Sequence, residues 1–188
     1  MPRNRGRFEA PILFFHLAAI GLAIGPVLFF GAVVAPATFR ILPTRDMAAT
    51  LVSPVLSGAC VIAEVAFGVL FATSWWLTRD GVARVTRSLL TRLPIVGFFA
   101  VLVIRELLIP QMDRIRAEAP GLIDNLPAAD PSRLLLDRYH RLATGFFAAA
   151  LAVGIVVMIL TARLLSVGRA APAPSASRPP VPKLLDLS

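Results

Sequence analysis

Four long apolar stretches divide the chain, and between them arginine, proline and aspartate collect in short runs. A helix needs about 20 residues to cross a hydrocarbon core of about 30 Å at a rise of 1.5 Å per residue. On that measure the pattern predicts membrane spans at about residues 11–35, 54–77, 89–109 and 142–162. Pro36 and Pro43 are expected to break the first span. Pro54 suits the first turn of the second, whose only internal charge is Glu64. Trp75 and Trp76 mark its interfacial end, and Gly81 is placed to stop the helix.

In the third stretch only residues 93–104 are uncharged, so Arg92 and Arg105 are expected to snorkel toward the headgroups at either end of a span closed by Pro110. Residues 110–132 then form a polar connection with a short amphipathic piece carrying Met112, Ile115 and Ala119 on one side. Asp130 followed by Pro131 reads as an N-cap and first-turn pair. It opens a helical extension with Arg133, Asp137, Arg138, His140 and Arg141 that leads into the fourth span. The expected fold is all-α: a four-helix transmembrane bundle over residues 1–168, followed by a disordered tail rich in Pro and Ala over residues 169–188.

Composition strengthens the membrane reading. Of the 188 residues 57% are hydrophobic and 16% charged, with mean hydropathy +0.77, against about 45–50% apolar and about 25% charged in soluble domains. A chain this small has too little interior to hide so much apolar surface, so lipid must cover it. The net charge of +8 does not point to nucleic acid. Its arginines flank apolar runs, where they meet anionic lipid headgroups, the partners expected here. The preponderance of Arg over Lys fits a bacterial source. The single cysteine, Cys60, lies within an apolar stretch and excludes an intrachain disulfide. Arg3, Arg5 and Arg7 resemble the start of a signal peptide, but the apolar run over residues 10–39 far exceeds a signal core of about 7–15 residues, so an uncleaved first span is expected.

Lys and Arg counts set orientation. The side holding both termini collects three at the N-terminus, four over residues 79–92 and four at the C-terminus, against eight on the other side. Both termini are therefore expected in the cytoplasm, in a plasma (inner) membrane.

Glu64 is the sharpest chemical feature, because an acid at the centre of a span costs about 2.5–3.5 kcal/mol on the insertion scale for Asp. Its helical stripe holds Ser53, Ser57, Cys60, Gly68, Phe71 and Trp75, small and polar in one half, which predicts a face turned into the bundle. Glu64 reads either as a protonatable coupling site or as a structural acid bonded to another helix. Gly21 with Gly25, and Gly145 with Ala149, have the four-residue spacing of small residues that lets helices approach closely, within the bundle or between copies. His16 and His140 raise a metal or haem hypothesis. Each lies near the start of its helix and those helices run in opposite directions, so the rings belong near opposite surfaces and do not share a ligand.

A family resemblance rests on three stretches in order. Residues 25–39, GPVLFFGAVVAPATF, followed by Leu42-Pro43 and Ala48-Ala49, resemble the first motif of the transmembrane protein 205-like family. Pro110, Met112 and Arg116 in PQMDRIR are similar to its signature after the third span. Tyr139-His140-Arg141-Leu142 resembles its motif opening the fourth. Tyr139 and Ala143 depart from the expected Leu and Ser, and Ile109 from a frequent His. The resemblance covers most of residues 10–165 and implies four transmembrane helices, no established enzymatic activity, and a proposed link to drug tolerance and export. The architecture is more remotely similar to copper-resistance and haem-linked four-helix membrane families.

In any even-numbered topology the first and third connections share one side of the membrane. Arg40, then Arg105, Glu106, Met112 and Arg116, then His140 are expected to form a polar site there. The leading expectation is a non-enzymatic bundle that binds a small molecule, lipid or partner with Glu64 responding to protonation, and for which no cofactor is predicted. The alternatives are a haem- or copper-binding redox protein using His16 or His140, and an accessory subunit of a larger membrane complex. Homo-oligomerisation through the glycine faces accompanies the first.

Overall fold

The structure is a computed structural model that describes residues 6–79 and 82–169, with side chains described over 10–79 and 82–166. Among the described residues there is no strand. Four helices carry the fold: α1 (Ala10–Ile41), α2 (Arg45–Leu77), α3 (Arg84–Glu118) and α4 (Pro131–Ser166), each long and apolar enough to cross a membrane. The chain thus has the architecture of a multi-pass integral membrane protein. Helix α1 packs along α2, α2 along α3 and α3 along α4, while α4 closes on α1 over a shorter contact.

The boundaries follow from local chemistry. Helix α2 starts where the Thr44 hydroxyl accepts the Met47 N–H at 3.2 Å, with Asp46 in the first turn opposite the orphaned amides. The same end anchors the α3–α4 connection. Asp46 accepts the Ile123 N–H at 2.7 Å, and Asp124 accepts the Arg45 N–H at 2.6 Å. The Asp130 carboxylate accepts the Ser132 N–H at 2.8 Å, and Pro131 opens the last helix.

The helices outrun the expected spans because several prolines do not end them. In lipid an interrupted backbone leaves polar groups with no water to bond, so the chain stays helical through a proline wherever geometry allows. Pro36 and Pro110 each follow a π-helical turn, Phe30–Val34 and Ile104–Leu108. A proline lacks an N–H and its ring crowds the carbonyl four residues back, here Ala32 and Glu106, both inside those turns. The widened turn relieves the clash, and the Ala35 and Ile109 amides bond five residues back to Phe30 and Ile104. Pro36 and Pro110 therefore interrupt register and not the helix. Pro54, expected in a first turn, lies well inside α2, because the Thr44 cap begins that helix nine residues earlier.

The core runs along the bundle axis through Ala19, Ala23, Phe67, Leu70, Val101, Ile104 and Val157, all buried. One close approach organises the α2–α3 contact: Gly97 lies against the Phe67 ring, where any Cβ would collide. Gly154 stands against Ile24, and Phe30 stacks on Phe147 with centroids 6.4 Å apart, both closing α1 on α4. Gly21, Gly25 and Gly145, expected as packing positions, have nothing within 4 Å of a Cβ added to them, and Ala149 is exposed. Their helices meet instead through other small residues, among them buried Ala19 and Ala23 on α1 and Ala143, Ala150 and Gly154 on α4. Outward-facing Phe14, Val65, Phe99 and Ile159 form the apolar surface that hydrocarbon covers. Gly81, expected to stop α2, and the expected tail beyond Arg169 lie outside the described residues.

Candidate functional site

Helix α2 has 33 residues, so it is about 50 Å long at 1.5 Å per residue. A hydrocarbon layer about 30 Å thick laid anywhere along an untilted helix of that length covers its central 10 Å or so. Glu64 falls in that stretch. Its position is 7% exposed, facing inward, because Cys60, one turn earlier on the same stripe, is also buried. The other half of the expected stripe turns outward. Gly68, Phe71 and Trp75 are exposed, and the buried seam continues through Phe67, Leu70 and Ser74.

Arg105 answers Glu64 from the π turn of α3. Its Nε stands 2.9 Å from Glu64 Oε1, and its Nη2 stands 2.9 Å from Glu106 Oε1. Distance alone makes these ion pairs, but the Nε–H is not aligned with the Glu64 oxygen. Both atoms are buried without a hydrogen-bond partner. The guanidinium therefore bridges two carboxylates while leaving one acceptor unfilled. Exposure rises through the trio, from 9% for the Glu64 side chain to 29% for Arg105 and 56% for Glu106, so the cluster opens from the bundle interior to its outer surface.

Toward the end that holds the α1–α2 and α3–α4 connections, the same helix pair carries a second polar group. Ser53 donates to Asp113 Oδ1 at 2.9 Å, and Arg116 donates to the same oxygen at 2.8 Å. With Thr50 and Pro54 they line a shallow cleft of about 290 Å³. Buried Ile109 and Met112 lie between Arg105 and Arg116 along α3. Met112 is thus part of the core and not a lining residue of the cleft. Arg40 and His140 are exposed, and neither pairs with a member of the trio. Of the six residues expected to converge, the structure pairs Arg105 with Glu106 and sets Arg116 in the separate cleft, and it adds Glu64, expected as a site of its own, to the first two. Asp113 was not anticipated, although its spacing three residues before Arg116 on a helix was a usable signal.

A separate polar group lies near the other end. His16 is 1% exposed, with Nδ1 2.8 Å from Thr73 Oγ1 and Nε2 3.0 Å from Thr161 Oγ1. It ties α1 to α2 and α4. Both threonine hydroxyls also lie within bonding distance of their own helix carbonyls, Val69 and Val157. Because both ring nitrogens already have hydroxyl partners, His16 could ligate haem iron or copper only by giving one of them up. His140 is on the far side of the bundle's length, exposed. Among the described residues no group of three or more His, Cys, Asp or Glu is placed to hold a metal ion. Nothing in the sequence pattern singles out Thr73 or Thr161.

No family model matches the chain, nor does any curated protein or solved structure.

Proposed function

We propose that this protein is a non-enzymatic membrane bundle that binds a small molecule or lipid at the Glu64–Arg105–Glu106 cluster. One observation carries the reading: three ionisable side chains meet partway along two helices long and apolar enough to cross a membrane, and the most buried of them keeps an oxygen with no hydrogen-bond donor. Ionisable groups in the hydrocarbon region are costly and typically mark sites of binding or transport. A purely structural pair would align its hydrogen bonds, since that alignment is what offsets desolvation. The π turn that presents Arg105 and Glu106 supports the same reading, because such turns recur at functional positions. The arginine excess beside the termini supports a cytoplasmic location for both, in a bacterial inner membrane. A role in export or stress tolerance rests on the resemblance to the transmembrane protein 205-like family and belongs to the same proposal.

The test is to purify the full chain in mild detergent beside a Glu64→Gln/Arg105→Gln double variant and identify bound small molecules and lipids by mass spectrometry. The wild-type chain should carry a species that the double variant lacks. Identical complements would refute a ligand site at this cluster.

A further inference from the structure

The charge balance and the one unfilled acceptor of the cluster specify what would complete it. With both carboxyls ionised, Glu64 and Glu106 face a single guanidinium, so the trio carries one excess negative charge. An anionic ligand would add to that excess in a medium of low dielectric, and a cationic one would cancel it. The unfilled position is also an acceptor: Glu64 Oε1 is buried and lacks a donor, although Arg105 Nε is 2.9 Å away. A ligand bearing N–H or O–H donors would satisfy it.

Two further observations narrow the class. A bare divalent cation takes about six or more oxygen ligands, and among the described residues no third His, Cys, Asp or Glu joins these two carboxylates in a metal-binding group. Access is lateral. The Glu106 side chain is 56% exposed on the outer surface of α3, on a helix whose exposed Phe99 and Leu107 offer an apolar surface to either side of it. A molecule reaching Glu106 from there arrives through the lipid and must carry an apolar body.

We infer that the cluster takes a cationic amphiphile, a protonated primary amine on a hydrocarbon body. Its ammonium lies between Glu106 and the unfilled oxygen of Glu64, and its chain lies along the outside of α3. This rests on the reading that the cluster is a ligand site, and it adds the ligand's charge, its donor and its route of entry.

The experiment uses the full chain in nanodiscs of zwitterionic lipid at neutral pH, with four probes of equal chain length: decylamine, decyltrimethylammonium, decanol and decanoate. Stoichiometric binding is read by native mass spectrometry after release from the disc. Decylamine should be held about tenfold more tightly than decanol, as a charge-assisted hydrogen bond requires, with decanoate weakest. Decyltrimethylammonium, which has the charge but no N–H, should fall between the first two. Glu64→Gln and Glu106→Gln should each bring decylamine down to the level of decanol. Glu106 is exposed enough for its variant to fold even if the Glu64 variant does not.

Equal retention of decylamine and decanol, or a preference for decanoate, overturns the amine assignment. Either result leaves the ligand site standing if the double variant has lost the wild-type species described above. Unchanged decylamine binding in Glu106→Gln also overturns the assignment, since the ammonium would then bind elsewhere.

Discussion

Arg105 Nε and Glu64 Oε1 stand 2.9 Å apart, inside ion-pair distance, yet neither atom has a hydrogen-bond partner. The pair is held together by charge and by the packing of α2 against α3, not by bond direction. Such a pair is expected to behave asymmetrically on mutation. Removing one member strands the other charge at membrane depth, which costs about 3–5 kcal/mol for buried pairs in general, whereas replacing both by neutral groups is close to neutral.

Arg105→Met should therefore lower the unfolding stability of the detergent-solubilised protein by several kcal/mol, on the order of 3. Adding Glu64→Gln to that variant should restore most of the loss. A double-mutant cycle measured by thermal or denaturant unfolding checks this. Additive losses would show that the two residues do not interact. Glu106→Gln, half-exposed at the rim, should cost about 1 kcal/mol or less.

The ring of Pro110 forces the π turn that presents Arg105. Pro110→Ala restores an amide and removes the ring from the Glu106 carbonyl, so the segment should relax toward regular α-helix and turn Arg105 away from Glu64. The expected outcome is a Glu64 carboxyl more reactive toward a membrane-soluble carbodiimide, read by mass spectrometry of labelled peptides. Pro36→Ala relaxes the equivalent turn at Phe30–Val34, which carries no charge, and should leave Glu64 labelling as it is in the wild-type chain. Equal labelling in all three proteins would mean that the turn does not control the pair.

How much of this was legible in the sequence divides by physical cause. The four helices were, because their apolar runs exceed the thickness of a bilayer and nothing else accounts for so much hydrophobic surface. Their ends were legible only in part: Leu77 ends α2 and Pro131 opens α4 where the sequence places them, whereas Pro36 and Pro110 do not end α1 and α3. Pro36, Pro54 and Pro110 stop helices in water, but in hydrocarbon the backbone has no better option than to continue. The inward direction of Glu64 was legible from Ser57 and Cys60 beside it. Its partner was not, since the π turn shifts the register of α3 at Arg105 itself. The His16 network had no local signal, because its contacts join residues 57 and 145 positions apart.

That network supports a second asymmetry. A neutral imidazole has one donor and one acceptor nitrogen, and each needs its threonine. The threonines do not need the histidine to the same degree, because Thr73 and Thr161 can donate to Val69 and Val157 within their own helices. His16→Leu should thus cost about 0.6–2 kcal/mol, the range for an interhelical hydrogen bond in a membrane protein. The Thr73→Val/Thr161→Val double variant should cost more, since it leaves both ring nitrogens of a 1% exposed histidine without partners. Unfolding measurements on the two variants decide the order. If His16→Leu proves the more damaging, the ring's packing and not its hydrogen bonding holds the three helices together.

Gly97 and Gly145 make the last contrast, between a glycine set by packing and one that is free of it. A Cβ at Gly97 would overlap the Phe67 ring, which is 1% exposed and has no room to retreat, while a Cβ at Gly145 meets nothing within 4 Å. Overpacking a core costs about 1–3 kcal/mol, so Gly97→Ala should destabilise the bundle by roughly that amount. Gly145→Ala, on an exposed helix face, should be neutral or slightly stabilising, because alanine is the better helix former by about 1 kcal/mol. Phe67→Leu combined with Gly97→Ala should recover part of the loss by vacating the ring's position, less the cavity cost of the smaller side chain. If Gly145→Ala instead destabilised the protein in a concentration-dependent manner, the exposed glycine face would be a contact between copies of the chain. Sedimentation in density-matched detergent would then show the wild-type oligomer dissociating in the variant.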